Sequence, residues 1–206
     1  MEANFCQLAS LPSQQLVQPS QPPRVRDPNP IITYDLISSL ELAPTTADRL
    51  TLLYKADLTG SYFKYNFNLD TNPSPGGGTG LGGSGVLANR KNFPALISLG
   101  VAASVGFLNL CGMNTPHTHC RATVPITSGG NVKSSFIQEN GETTEIATVL
   151  NRYEGGILPM GSIHYNFNDS CDPAVFIVAF SDQGPGLSRI AQDFFWPESG
   201  YCRSIY

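Results

Sequence analysis

The chain holds three histidines in 206 residues, at positions 117, 119 and 164. The first two are one residue apart, in Gly112-Met-Asn-Thr-Pro-His117-Thr-His119-Cys-Arg-Ala-Thr-Val124. On a strand, side chains two positions apart share a face, so both imidazoles can reach one ion. His164 must come from another strand, a non-local meeting that a closed barrel provides. It sits in Gly156-Ile-Leu-Pro159-Met-Gly161-Ser-Ile-His164-Tyr-Asn-Phe-Asn168, where Pro159 and Gly161 mark a tight turn that aims His164 toward a barrel mouth. Three converging imidazoles are a ligand set for a divalent ion, which polarises a carbonyl or enol oxygen or acidifies a bound water. Without an ion, His117, His119 and His164 are the candidate general acids and bases.

The elements that must position these residues are strands. Glycine and proline together number 36 and only 14% of residues are charged, a composition of many turns and little surface helix. Short β-prone runs follow one another over 101–110, 117–125, 132–138, 144–150, 162–168 and 173–181. Turn signals separate them at 128–131, 139–141 and 182–186, and Asn140-Gly141 is a strong hairpin signal. The pattern predicts an all-β fold, a small barrel or a jelly roll. Phe63, Tyr65, Phe67 and Leu69 alternate with polar residues and predict a half-buried strand over 61–69. Thr45 and Asp48 ahead of Leu50, Leu52 and Leu53 predict a short helix of one or two turns. Residues 190–196 predict a terminal helix or an extended clasp.

Residues 11–30 carry six prolines and four glutamines, so residues 1–30 are expected to form an arm and 31–206 a single domain. The glycine-rich stretch 72–85 contains a formal G-x-G-x-x-G from Gly78 to Gly83. Pro73 and Pro75 stand where a strand should precede it, so it predicts a loop and not a nucleotide site. The net charge of −4 and pI near 5.3 exclude a basic footprint for nucleic acid. No apolar run reaches membrane-spanning length, because the longest, 93–111, is broken by Pro94, Gly100 and Gly106. The first ten residues lack the basic and apolar regions of a secretory signal, which favours an intracellular setting, or an extracellular one if a leader has been removed. Five cysteines form an odd set without C-x-x-C spacing, which excludes a zinc ribbon. Cys111 and Cys171 are disulfide candidates, Cys6 and Cys202 a weaker pair, and Cys120 reads as a small buried hydrophobe.

The two histidine segments resemble the paired motifs of the cupin superfamily, most closely those of germin-like and spherulin-type proteins. The first family motif is G-x5-H-x-H followed by a Glu, and the second is G-x5-P-x-G-x2-H-x3-N. The resemblance covers about residues 85–196, and the second motif is matched in full. It implies a single cupin barrel with His117, His119 and His164 as metal ligands. Asn114 and Asn168 match family asparagines near the cavity and are substrate-binding candidates, with turn capping as the structural alternative. Arg121 could orient an anionic substrate, with a structural ion pair as its alternative. Asn168-Asp-Ser170 is formally a glycosylation sequon, discounted because the motif places Asn168 inside the barrel. The resemblance also implies a homo-oligomer, a dimer or a hexamer.

The departure lies at the family's Glu, where this chain has Val124, or Thr123 under a shorter spacing. Neither Asp169 nor Glu139 stands at a family position that would replace it. Germin-type oxidases hold manganese with three His and one Glu, a set that suits a hard ion. Three imidazoles alone suit Zn, Ni, Cu or Fe better than Mn, and the ion site can also have been lost. The expected function is therefore a non-redox step on a small organic substrate, such as a cyclisation, isomerisation or pericyclic reaction in secondary metabolism. A metal-dependent oxidoreductase of oxalate oxidase or superoxide dismutase type is the second reading. A non-catalytic binding or storage protein is the third.

Overall fold

The computed structural model describes residues 29–72, 79–141 and 144–195. Two antiparallel sheets face each other. The first has the order β1 (Thr79–Gly80), β2 (Gly83–Ala88), β3 (Ala102–Leu108), β10 (Ala174–Phe180), β5 (Val124–Ser128) and β8 (Gly155–Leu158). The second has the order β11 (Ser188–Arg189), β4 (Met113–Thr118), β9 (Ile163–Phe167), β6 (Val132–Ile137) and β7 (Ile146–Leu150). Sequence neighbours repeatedly fall in opposite sheets, the jelly-roll pattern that the turn spacing predicts.

Period-2 burial fixes which faces meet. On β10, Ala174, Phe176, Val178 and Phe180 are buried while Val175 and Ile177 are exposed. The buried set joins Val124, Ile126, Val132, Leu150 and Leu158 in one core. Each large side chain so buried contributes about 1.5–3 kcal/mol. Gly106 on β3 lies opposite Phe176 on β10, whose ring fills the space a Cβ would take.

A second, smaller core holds the helices to the barrel. Helix α1 (Tyr34–Leu42), which is not among the expected elements, is capped by Thr33, and α2 (Thr46–Ala56) is capped by Thr45. Leu40 and Leu53 pack with Ala95 and Ile97, and the Arg49 Nε–H donates to Leu40 O across the hairpin at 3.0 Å. The α2 helix runs 11 residues, longer than the one or two turns expected. Helix α3 (Ile190–Phe195) closes the described chain, as expected in kind, and Trp196 lies outside the described residues.

Several expectations are corrected. Residues 61–69 form no strand: Ser61–Phe63 is a 3-10 turn, and the rest is irregular. The carboxylate of Asp57 and the side chains of Asn66 and Asn68 accept from nearby backbone N–H groups, which bends the chain away from a ladder. The apolar alternation still serves, since Tyr65 stacks edge-on with Phe67 and donates to Leu87 O. The run 117–125 is not one strand but the end of β4 and the start of β5, in different sheets. Residues 79–85, where a loop is expected, belong to the β1–β2 hairpin, while 73–78 lie outside the described residues. Cys120 is exposed, because it follows the inward His119 and so turns outward. No disulfide joins Cys111 to Cys171. Their loops meet through backbone instead, Cys111 N–H donating to Ser170 O, with Cys111 held at φ 50. The arm over residues 1–30, and Cys6 with Cys202, fall outside the described residues apart from Asn29 and Pro30.

The same junction ties β4 to β9 through Asn168. Its N–H donates to Gly112 O, its amide nitrogen donates to Asn109 O and Asp172 O, and its amide oxygen accepts from Ser170 N–H and Oγ–H. Asn168 itself has zero exposure, so its amide is satisfied by these bonds and not by water. Replacing Asn168 by Ala should cost about 2–3 kcal/mol in urea denaturation, the penalty for deleting a buried amide that makes several hydrogen bonds. A cost below about 0.5 kcal/mol would contradict this strap role.

Candidate metal centre

The three histidines converge. His117 is 4% exposed, His119 8% and His164 2%, and one ring nitrogen from each lies within 4.8 Å of the others. Ring centroids are 4.2 Å apart for His117 and His164, 5.2 Å for His117 and His119, and 5.3 Å for His119 and His164. His117 and His164 are directly opposite in the β4–β9 pairing.

A β-bulge delivers His117. Asn114 pairs with Asn166 and His117 with His164, so three steps along β4 match two along β9. Without the extra residue, Asn114 and His117 would face opposite sides. The bulge turns both inward. Pro116 inside this strand has no N–H to donate, and a bulge is where a sheet accepts it. A turn delivers His164: Ser162 N–H donates to Pro159 O at 3.1 Å, and Gly161 takes φ 80, which its lack of a Cβ permits. His119 lies just past the end of β4, and its carbonyl accepts from Gly161 N–H, so the two histidine segments are bonded to each other.

Each imidazole is locked in the same way. Nδ1–H of His117 donates to Thr115 O at 2.7 Å, that of His119 to Gly186 O at 2.5 Å, and that of His164 to Ser162 O at 2.9 Å. A carbonyl only accepts, so Nδ1 carries the proton and Nε2 keeps its lone pair. Burial, reinforced by the neighbouring His164, holds His117 down at about 3. Burial likewise lowers His164 to about 4, and it lowers His119 against the opposing effect of the Gly186 bond. Three neutral imidazoles are therefore gathered with one ring nitrogen of each within 4.8 Å of the others and their orientation set by backbone carbonyls, as metal-ligating histidines require. The donor set fits a divalent ion of the imidazole-preferring kind.

It does not fit the four-donor manganese set. Val124 is 2% exposed, sits on β5 and packs into the apolar core. Among the described residues no Asp or Glu joins the histidine cluster, and both Asp169 and Glu139 are exposed elsewhere.

The cluster opens into a cavity of about 580 Å³. Its apolar wall includes Val124, Leu158, Phe176, Val178 and Phe180, the last edge-on to His119 at 4.9 Å. Of the expected substrate-binding residues, Asn114 and Arg121 line it. Arg121 is pinned by its Nε–H to Gly184 O at 2.6 Å. Asn168 does not line it. Asn168 is the buried strap described above, which also makes the sequon unusable. Asn166 and Arg189 line the cavity without having been expected. Asn166 could have been found by alternation, two residues after His164 on the same face. Arg189 could not, because only the β11–β4 pairing brings it beside His117.

The histidine environment has a consequence for stability. The folded-state pKa values lie below the ordinary imidazole value of 6.5, so the unfolded chain binds more protons between about 3 and 6.5. The contribution is full above pH 6.5 and is lost as pH falls toward the folded values. Metal-free protein should lose stability from pH 6.5 to 4.5 in thermal melts more steeply than a variant with all three histidines changed to Gln. Equal slopes would contradict the assignment.

Comparison with known proteins agrees with this architecture. The cupin family profile matches residues 68–200. Spherulin-1A of Physarum polycephalum is 36% identical over 169 residues, covering 82% of this chain and 65% of that protein. Germin-like protein 8-9 of Oryza sativa subsp. japonica is 32% identical over 195 residues, covering 93% of this chain and 83% of the other. The chain thus spans somewhat under two thirds of the spherulin and most of the germin-like protein. Among solved structures, oxalate oxidase bound to the substrate analogue glycolate superposes with TM-score 0.59 at 21% identity, covering 66% of this chain and 68% of that one. Oxalate decarboxylase from Bacillus subtilis gives TM-score 0.53 at 20% identity, covering 58% and 31%. At these identities the likeness speaks to the fold alone. Among the described residues no helix is long and apolar enough to cross a membrane. Profile match, relatives and barrel together place the chain in the cupin family, among its germin-like and spherulin-type members.

Proposed function

We propose that this cupin is a metal-dependent enzyme that carries out a non-redox rearrangement, such as an isomerisation or cyclisation, of a small organic substrate. The observation that carries this reading is the set of three backbone-locked, neutral imidazoles facing a cavity from which the family carboxylate is missing. A divalent ion held there by the three Nε2 atoms supplies Lewis acidity toward a carbonyl or enol oxygen. The protein's own groups do the rest. The carbonyls of Thr115, Ser162 and Gly186 keep the imidazoles in one tautomer, so no reorganisation is needed when an oxygen arrives. Asn114, whose Nδ2–H donates to Asn166 Oδ1 at 3.5 Å, and Asn166, whose Nδ2–H donates to Ser134 Oγ, set a linked pair of amides on the cavity wall beside it. Leu158, Phe176 and Phe180 exclude water from the reacting face, which strengthens every polar contact made there.

Proton transfer by the histidines themselves is less well supported. A general acid or base works best with a pKa near the operating pH, and values of about 3 and 4 are far from it. Ligation needs the neutral form and is favoured by the same environment. Manganese redox cycling of the oxalate oxidase kind is disfavoured by Val124, since the ligand field lacks its carboxylate.

Protein purified without chelators should carry one Zn, Ni, Fe or Cu ion per chain by elemental analysis. His164→Ala should reduce that content at least about tenfold and abolish turnover of enone or polyene candidates. Absence of a stoichiometric metal, or equal turnover by His164→Ala, would overturn the reading. Manganese accompanied by oxalate consumption would replace it with the oxidoreductase.

A further inference from the structure

Among the described residues, the charged side chains on the cavity wall are all of one sign. Arg121 and Arg189 line it, and among the described residues no Asp or Glu does. The chain as a whole carries −4, so this is a local arrangement and not a reflection of composition. Arg189 lies on β11 directly opposite His117. Arg121 projects beside Gly186, whose carbonyl holds His119. The two guanidinium groups therefore flank the histidine cluster at different ligands.

An ion on three neutral imidazoles keeps its full +2 charge, in a site walled by Val124, Leu158 and Phe176 where the dielectric is low. Nothing on the described wall neutralises it, because a buried valine occupies the position from which a carboxylate would. A cavity this size, within the range of roughly 300–1,000 Å³ typical of small-molecule sites, has room for far more than a two-carbon acid. Its apolar wall needs a hydrocarbon surface to cover.

Building on the metal-centre reading, we propose that the cavity takes an amphipathic monocarboxylate. Its carboxylate supplies the anionic oxygen donor that Val124 cannot, Arg121 and Arg189 neutralise and orient that head, and its apolar body lies against Phe176, Val178 and Leu158. The missing Glu is thus replaced by the substrate, and substrate binding completes the metal's ligand set.

Cobalt-loaded full-length protein tests this, with visible d–d absorption and titration calorimetry as readouts independent of turnover. The probes are 3-phenylpropanoate, its neutral amide 3-phenylpropanamide, and oxalate. The phenylpropanoate should shift the cobalt spectrum and bind at least about tenfold more tightly than either the amide or oxalate. Arg121→Gln and Arg189→Gln should each weaken it by about tenfold with cobalt content unchanged. Val124→Glu should suppress the spectral shift by filling the anionic position, and the exposed Arg121→Gln keeps the test open if that core variant does not fold. With cobalt retained, equal binding of acid and amide overturns the anion assignment, and oxalate binding more tightly than phenylpropanoate overturns the amphipathic one. Either result leaves the metal centre standing. Failure to retain cobalt overturns both proposals.

Discussion

The site depends on one repeated contact, an imidazole Nδ1–H given to a backbone carbonyl. Each such bond contributes only about 0.5–1.5 kcal/mol net, so its value lies in geometry more than in stability. Three bonds of this kind fix three tautomers and hold one ring nitrogen of each histidine within 4.8 Å of the others. The carbonyls come from three different local structures: the β4 bulge at Thr115, the turn ending at Ser162, and the loop reaching Gly186. Removing any one frees a ring to rotate. The barrel serves to hold these loops in register, and the Asn168 strap holds the opposite ends of β4 and β9 together.

Once the lone pairs are fixed, the protein's electrostatics follow. Burial favours the neutral imidazoles, and neutrality suits them to ligation better than to proton transfer. A carboxylate at position 124 would have balanced an ion's charge internally. With valine there, the proposed ion's charge is left for a bound molecule to balance, in a cavity whose described charged lining residues, Arg121 and Arg189, are both cationic. The proposed ion would therefore be chosen by imidazole donors alone, and the proposed ligand would bring the oxygen donor that position 124 lacks.

Much of this was legible in the residues. The H-x-H spacing put His117 and His119 on one face, Pro159 and Gly161 announced the turn before His164, and the turn signals separated the strands in nearly the right places. Other features were not legible, for identifiable reasons. The bulge at Pro116 shifts the β4 register, and proline in a strand announces an irregularity without giving its direction. Arg189 reaches the site only through a sheet pairing that no local pattern encodes. Asn168 matched a cavity position by motif, yet its four amide bonds make it a strap. The alternation at 61–69 set which side chains are half-buried but not the backbone, because Asp57, Asn66 and Asn68 captured the N–H groups a ladder would have used.

Three imidazoles and no protein carboxylate are proposed to hold the ion. X-ray absorption spectroscopy of the metal-loaded protein measures that ligand set directly. Three nitrogen scatterers are expected at about 2.0–2.1 Å with imidazole multiple-scattering features, the remaining position filled by an exchangeable light atom. Fewer than three imidazoles per ion, or a protein carboxylate that persists when solvent and added anions are exchanged, would contradict it.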